Sequence, residues 1–265
     1  MNNVKIVFTD LDSTLTISEG KIDIQNKKIF EKLADIGIPV VINTGRSIPY
    51  IIPICKQFST SNYVIASNGA EIYNYLTKKV IYRRVILEEN LKIIDDLIRK
   101  YDLLFYANGI QRRYTNKTEK SIGTIFTNYL SDINEEIAQV VIESYDVNVM
   151  IKAKQEITAR ESLKIANKTK HVEEGKLLYY DIVNSEVSKG TAVIELCEYL
   201  NIDPAKAMAI GDSTNDIEML DAVGYKVAVA NASDDLKEKA NIITLSNKQN
   251  GVATILNELY NQKTK

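Results

Sequence analysis

Apolar residues along this chain gather in short dense runs, and each run halts at a polar residue able to carry chemistry. Val4, Ile6, Val7 and Phe8 lead into Thr9-Asp10-Leu11-Asp12-Ser13-Thr14-Leu15. Ile38 to Ile42 stops at Asn43-Thr44-Gly45-Arg46, and Tyr63 to Ala66 at Ser67-Asn68-Gly69. Further on, Ala207 to Ile210 ends at Gly211-Asp212, Lys226 to Ala230 at Asn231, and Ile242 to Leu245 closes the series. Compact runs rich in β-branched residues between polar turns predict buried strands. The stretches between them carry helical spacing instead, as at Ile29, Phe30, Leu33 and Ile36, at Val193, Leu196, Cys197 and Leu200, and at Val252, Ile255, Leu256 and Leu259. A helix with Pro49 and Pro53 near its start is predicted to lead to Phe58, a short one spans 216–223, and Ser233 N-caps another over 234–240.

Strands alternating with helices imply crossover connections and a parallel sheet covered on both faces, a Rossmann-like α/β core. Ligands of such sheets bind beyond the carboxyl ends of the strands. Those ends carry Asp10 and Asp12, Thr44, Asn68, Asp212 and Asn231, which together read as one polar surface.

The middle of the chain has another rhythm. Leu103 to Ala107, the turn Asn108-Gly109 and Ile110 to Tyr114 predict a β-hairpin. Val147 to Lys152 and Leu177 to Val183 predict further alternating strands, and Glu88 to Tyr101 a helix. Alternation suits a sheet with one covered face, so an α+β unit over 82–183 is expected inside a core made of 1–81 and 184–265.

Asp10 and Asp12 are two apart, and alternation along an extended backbone would point both the same way. Two such charges call for a divalent cation, a shared proton, or both between them. With one His and two scattered Cys in 265 residues, no zinc site of thiolates and imidazoles can be built, so any metal is held by oxygen, which points to Mg²⁺. Lys plus Arg (33) nearly balance Asp plus Glu (35) for a net charge of −2, which argues against a nucleic-acid or membrane-surface binder. No apolar run is long enough to span a membrane and no secretory leader is visible. Cys55 and Cys197 sit in apolar helical patterns and read as buried thiols, consistent with the cytoplasm. Lys189 opens a helix, where the macrodipole disfavours a cation unless an anion is near. His171 reads as a solvated loop residue, Arg112 and Arg113 as an exposed hairpin face, and the tyrosines 106, 114, 179 and 180 as core or strand-face residues.

Taken in order, these pieces resemble the haloacid dehalogenase superfamily of phosphatases. Asp10-Leu11-Asp12-Ser13-Thr14-Leu15 is similar to its DxDGT signature, Thr44-Gly45-Arg46 to its Ser/Thr motif, Lys189 to its lysine motif and Gly211-Asp212-Ser213-Thr214-Asn215-Asp216 to its GDxxND motif. Ser67-Asn68-Gly69-Ala70, Val187-Ser188-Lys189-Gly190, Val229-Ala230-Asn231-Ala232 and Asn250-Gly251-Val252-Ala253 narrow the resemblance to the Cof-type members, whose core carries a large inserted α/β cap. Two departures stand out: Ser13 replaces the usual Gly, and Asp181 the usual Glu.

The resemblance implies a Mg²⁺-dependent hydrolase of small phosphorylated metabolites, with sugar phosphates expected first. Asp10 would be the nucleophile that forms an aspartyl-phosphate, and Asp12 the general acid and base. Thr44, Gly45 and Lys189 would hold the phosphoryl group. The metal would lie between Asp10, the backbone carbonyl of Asp12 and Asp212, with Asn215 and Asp216 completing or orienting its shell. Arg46 and Asn68 would contact substrate or tie core to cap. A monomer fits this reading without being required by it. A phosphosugar mutase of the same superfamily, or a degenerate member that only binds phosphate ligands, are the alternatives.

Overall fold

Fully buried strands explain why the apolar runs are uninterrupted. Ile6–Thr9, Val40–Asn43 and Ala207–Gly211 are buried at every position, because each is flanked by strands and covered by helices on both faces. The computed structural model describes residues 1–18, 21–57, 61–110, 112–118, 124–167 and 175–265. The eight strands of its larger sheet lie in the order Ile242–Ile243, Tyr225–Ala228, Ala207–Gly211, Ile6–Thr9, Val40–Asn43, Tyr63–Ala66, Glu71–Asn74 and Lys79–Arg83. The first six are parallel, Glu71–Asn74 runs antiparallel to Tyr63–Ala66, and Lys79–Arg83 runs antiparallel to Glu71–Asn74.

Strand order reverses at Ile6–Thr9, which has Ala207–Gly211 on one side and Val40–Asn43 on the other. Such a reversal leaves a crevice beyond the strand ends. Register fixes what lines it. Thr9 pairs with both Ile210 and Ile42, and the Asp10 amide donates to the Ile210 carbonyl at 2.9 Å. The loops after these three strands therefore start at one level. Helices Ile24–Asp35 and Gly251–Lys263 pack their apolar faces into this core through Ile29, Phe30 and Leu33 and through Val252, Ile255, Leu256 and Leu259.

Chain leaves the larger sheet after Arg83 and returns to it at the helix Lys189–Tyr199. Between them a six-stranded sheet, built around Leu104–Asn108, Gln139–Ser144 and Leu178–Asn184, has its own apolar core with Ile94, Ile98, Phe105, Val140, Ile142 and Met150. Helix Glu88–Tyr101 matches its expected bounds.

Two expectations fail here, and one element has no expectation to meet. Val147 to Lys152 is not a strand but the start of the helix Val147–Thr158. Asp146 caps it, accepting from the Asn148 and Val149 amides at 2.8 and 3.1 Å, and Met150, Ala153 and Ile157 bury its inner face. Burial at three- and four-residue spacing outweighs the β-branched first turn. The strand lies just upstream, at Gln139–Ser144. The hairpin exists, but Asn108 belongs to its first strand and pairs with Arg113, so the turn sits later than expected. The edge hairpin Glu71–Asn74 and Lys79–Arg83 has no counterpart in the sequence reading. Phe58 and His171 lie outside the described residues. Among those described, no helix is long and apolar enough to cross a membrane, and Cys55 and Cys197 are buried free thiols.

Candidate active site

Asp10 is the first residue past the central strand, and it is buried. Lys189 reaches it from the start of Lys189–Tyr199, a helix secured by a capping box between Ser188 and Thr191. The Lys189 ammonium lies 2.5 Å from Asp10 Oδ1 and 2.6 Å from Asp216 Oδ1. Burial alone would lower the pKa of that ammonium, yet the two carboxylates outweigh it and the pKa is raised. These anions explain a cation at a helix start.

Asp216 is fully buried and holds the loop after Ala207–Gly211 closed. Its Oδ2 accepts from the backbone N–H groups of Asp212 and Ser213 at 3.0 and 3.1 Å. A Cβ at Gly211 would sit 2.6 Å from the Asp216 Cβ, so only glycine allows this closure. Asp212 accepts from the Thr14 hydroxyl at 2.6 Å. Burial, reinforced by the charge of Asp216, pushes its carboxyl up to about 6. Burial likewise drives the Asp10 carboxyl well upward, against the pull of Lys189.

Carboxylate oxygens of Asp10, Asp212 and Asp216 lie within 4.8 Å of one another. Three acids around one ammonium leave an excess of buried negative charge that a hard divalent cation would relieve. The donor set is all oxygen, as such an ion requires. Asp216 already receives three hydrogen bonds, which suits it to orient the others. The Asn215 oxygen accepts from the Ser213 hydroxyl at 2.5 Å.

Asp12 stands apart from this cluster. The strand ends at Thr9, so the alternation that would pair Asp12 with Asp10 has already lapsed. Asp12 is half-exposed and held by both prongs of the Arg46 guanidinium, Nε to Oδ2 at 2.8 Å and Nη2 to Oδ1. Arg46 also packs 4.5 Å from the Tyr50 ring. Thr44 is buried, and its hydroxyl accepts from the Arg46 amide at 3.2 Å. A Cβ at Gly45 would sit 3.0 Å from Asn68 Oδ1. Asn68 joins the two sheets: its Nδ2 donates to Asp181 Oδ2 at 2.9 Å and its Oδ1 accepts from Asn215 Nδ2 at 3.3 Å.

Ser13 adopts φ +63°, a conformation that glycine takes freely. Its carbonyl accepts from Asn231 Nδ2 at 2.9 Å, which pins the loop in place. Replacing Ser13 by Gly removes side-chain strain but adds unfolded-state entropy, so a net gain of about 0.5 kcal/mol is expected. That corresponds to a thermal midpoint raised by about 1–2 °C, and a lowered midpoint would show the serine side chain to be stabilising.

These residues open onto a cleft of about 780 Å³, with Asp10, Asp12, Thr44, Arg46 and Asp212 on one wall. The opposite wall comes from the six-stranded sheet and includes Asn108, Arg113, Gln139, Glu143, Tyr179 and Asp181. The expectation of an exposed Arg113 fails: its guanidinium lies 3.7 Å over the Tyr106 ring, in the cleft wall. Asp181 lines the cleft, and burial pushes its carboxyl up to about 6. Alternate positions 139, 141 and 143 line the cleft, a signal that only recognition of Gln139–Ser144 as a strand would have exposed.

A doubly wound sheet whose strand tips carry a buried acid cluster and a lysine, facing a second sheet across a cleft, defines an α/β enzyme with its chemistry at the carboxyl ends of the strands. Residues 7–256 match the haloacid dehalogenase-like hydrolases, and the chain belongs to that family. It is 29% identical to a 5-amino-6-(5-phospho-D-ribitylamino)uracil phosphatase of Bacillus subtilis, covering 97% of this chain and 98% of that protein. It is 26% identical to a phosphoglycolate phosphatase of Methanoculleus marisnigri, covering 86% and 85%. Its fold is shared with a haloacid dehalogenase-like hydrolase from Bacteroides thetaiotaomicron, at a TM-score of 0.84 and 24% identity over 97% of this chain and 99% of that one.

Proposed function

We propose that the protein is a Mg²⁺-dependent phosphomonoester hydrolase of small phosphorylated metabolites, acting through an aspartyl-phosphate. The observation that carries this reading is Asp10, a buried carboxylate fixed by Lys189 and flanked by Asp212 and Asp216 in the wall of the cleft. Residues 1–81 and 184–265 are read as the catalytic unit and 82–183 as the cap.

A carboxylate needs no base to act as nucleophile, but burial opposes its charge. Lys189 opposes that burial and orients Asp10, and Asp216 keeps Lys189 in place. Asp10 and Asp212, with the Asp12 carbonyl, would hold Mg²⁺, which supplies positive charge against the phosphoryl oxygens. The Asp10 oxygen bonds to phosphorus as the bond to the leaving oxygen breaks, and Asp12 delivers a proton to that oxygen. Asp12 then takes a proton from water, whose oxygen attacks phosphorus and releases Asp10. Both Asp12 oxygens are held by Arg46, so proton delivery requires Arg46 to release one and that oxygen to take up a proton from solvent before the leaving oxygen receives it. Thr44 and Gly45 line the same cleft as Asp10 and would offer donors to the phosphoryl oxygens.

Substrate class rests on the cleft and on relatives. One relative is named for a phosphorylated ribityl compound and another for phosphoglycolate, and a cleft of about 780 Å³ suits a small ligand. Phosphate release from a panel of phosphorylated metabolites, with Mg²⁺ and with chelator, tests the reading. Metal-dependent release is expected. Isomerisation of a hexose phosphate without release would instead make the protein a mutase, and silence on both counts a binder.

A further inference from the structure

The turn that carries Asn68 runs through left-handed backbone. Ser67 and Asn68 have φ of +52° and +57°, and Gly69 follows at +100°. Residues with side chains rarely take that region, so such a run persists only where its surroundings fix it. Those surroundings all belong to the site. The Ser67 and Asn68 amides donate to the Arg46 and Thr44 carbonyls at 2.9 and 3.0 Å. A Cβ at Gly69 would lie 2.0 Å from the Ser188 carbonyl oxygen, beside Lys189. The Asn68 side chain spans Asp181 and Asn215.

Behind the turn lies a carboxylate that is no part of the acid cluster. Glu71 is 1% exposed, and its Oε2 accepts from the Ser67 hydroxyl at 2.8 Å. Its Oε1 faces Arg83, its partner in the strand register, with Nε at 3.6 Å. Arg83 ends the last strand of the larger sheet, and its Nη2 donates to the Glu136 carbonyl at 2.7 Å. Among the described residues, Glu71 Oε1 and Arg83 Nε and Nη1 have no hydrogen-bond partner, so charge joins the pair. A carboxylate offers Ser67 and Arg83 an oxygen each, whereas a glutamine amide has one oxygen for both. Burial pushes the Glu71 carboxyl up to about 7, against Arg83 and the Ser67 hydroxyl and with the charge of Glu135 adding to it. It is therefore ionised above about pH 8.

We propose that Glu71 is a positioning residue: through Ser67 it fixes the turn that aims Asn68 at Asp181 and Asn215, and through Arg83 it ties that turn to the cap at Glu136. Asp10, Lys189 and Asp216 hold one another without it, so its effect falls on the seating of the cap and not on phosphoryl transfer. This rests on the reading of Asp10 and Lys189 as the phosphoryl site and of 82–183 as the cap.

Kinetics above about pH 8 in Mg²⁺ compare wild type, Glu71→Gln and Ser67→Ala on two substrates. One is the best substrate of the metabolite panel. The other is acetyl phosphate, whose leaving group is too short to depend on the cap. Both variants are expected to lose about tenfold or more of kcat/KM on the first, carried by KM, and to stay within about threefold of wild type on acetyl phosphate. Loss of folded protein would scale both substrates alike. Hydrogen exchange of the folded proteins gives a readout that needs no turnover. Amides of residues 66–70 are expected to exchange about tenfold faster or more in both variants, with those of Ile6–Thr9 unchanged. Unchanged kinetics, equal losses on the two substrates, or unchanged exchange at 66–70 would overturn the inference. Faster exchange in a protein that releases no phosphate would sink the hydrolase reading and leave the hold of Glu71 on the turn standing. Phosphate release with unchanged exchange would do the reverse. Ser67→Ala leaves the buried pair whole, which keeps the test alive if Glu71→Gln fails to fold.

Discussion

Asp10→Asn is expected to lower phosphate release by about 10⁴-fold or more while leaving the fold intact. The loss is large because an amide oxygen is a poor nucleophile and no other carboxylate can take its place. Asp212 is tied to Thr14, and Asp216 to Lys189 and two backbone amides. The fold survives because the side chain belongs to the cleft and not to the apolar core. Lys189 loses one anion but retains Asp216 at 2.6 Å. The thermal midpoint should stay within about 5 °C of wild type. Retention of more than a tenth of the activity by a folded Asp10→Asn protein would rule out the covalent route.

Removing a different acid should stabilise the protein. In the unfolded chain the Asp212 carboxyl has its ordinary value of 3.8, and in the fold burial raises it to about 6. The folded state then binds protons more tightly than the unfolded one. Stability of the metal-free protein therefore falls as pH rises from about 4 through about 6, and the penalty is complete above that window. Asp212→Asn removes the charge and keeps an oxygen for the Thr14 hydroxyl. In chelator at pH 7.5 the variant should be more stable than wild type, by on the order of 2 kcal/mol. That is several degrees in thermal midpoint, and the gap should narrow below about pH 6 and close only near pH 4. Mg²⁺ should raise the midpoint of wild type but not of the variant, because binding of the ion favours the ionised carboxylate. A variant less stable than wild type in chelator at pH 7.5 would show that the acid cluster is not charge-stressed.

Legibility in the sequence followed burial on two faces. Val40–Asn43 and Ala207–Gly211 are enclosed by the fold, so their residues are apolar without a break and their ends are marked by the first polar side chain. That is why Thr44, Asp212 and Asp10 could be placed at one surface from pattern alone. Gln139–Ser144 has one face in the apolar core and the other in the cleft. Gln139 and Glu143 break the run, and the eye passes to the more apolar Val147 to Ile151, which Asp146 has already turned into a helix. Likewise Glu71 and Asn74, buried polar residues of the edge hairpin, give no apolar signal. The grip of Arg46 on Asp12 joins loops after two different strands, and no local spacing encodes it. The wall formed by Asn108, Arg113 and Gln139 is a consequence of register between strands, legible only once the strands are paired.

Acid-quenching the enzyme during turnover, followed by mass analysis of its peptides, tests the central claim most directly. The account predicts one phosphoryl group on the peptide that carries Asp10, formed only with Mg²⁺, released by hydroxylamine and absent from Asp10→Asn. Steady phosphate release with no phosphoryl group on that peptide at any quench time would contradict it, and would mean that water attacks the substrate directly.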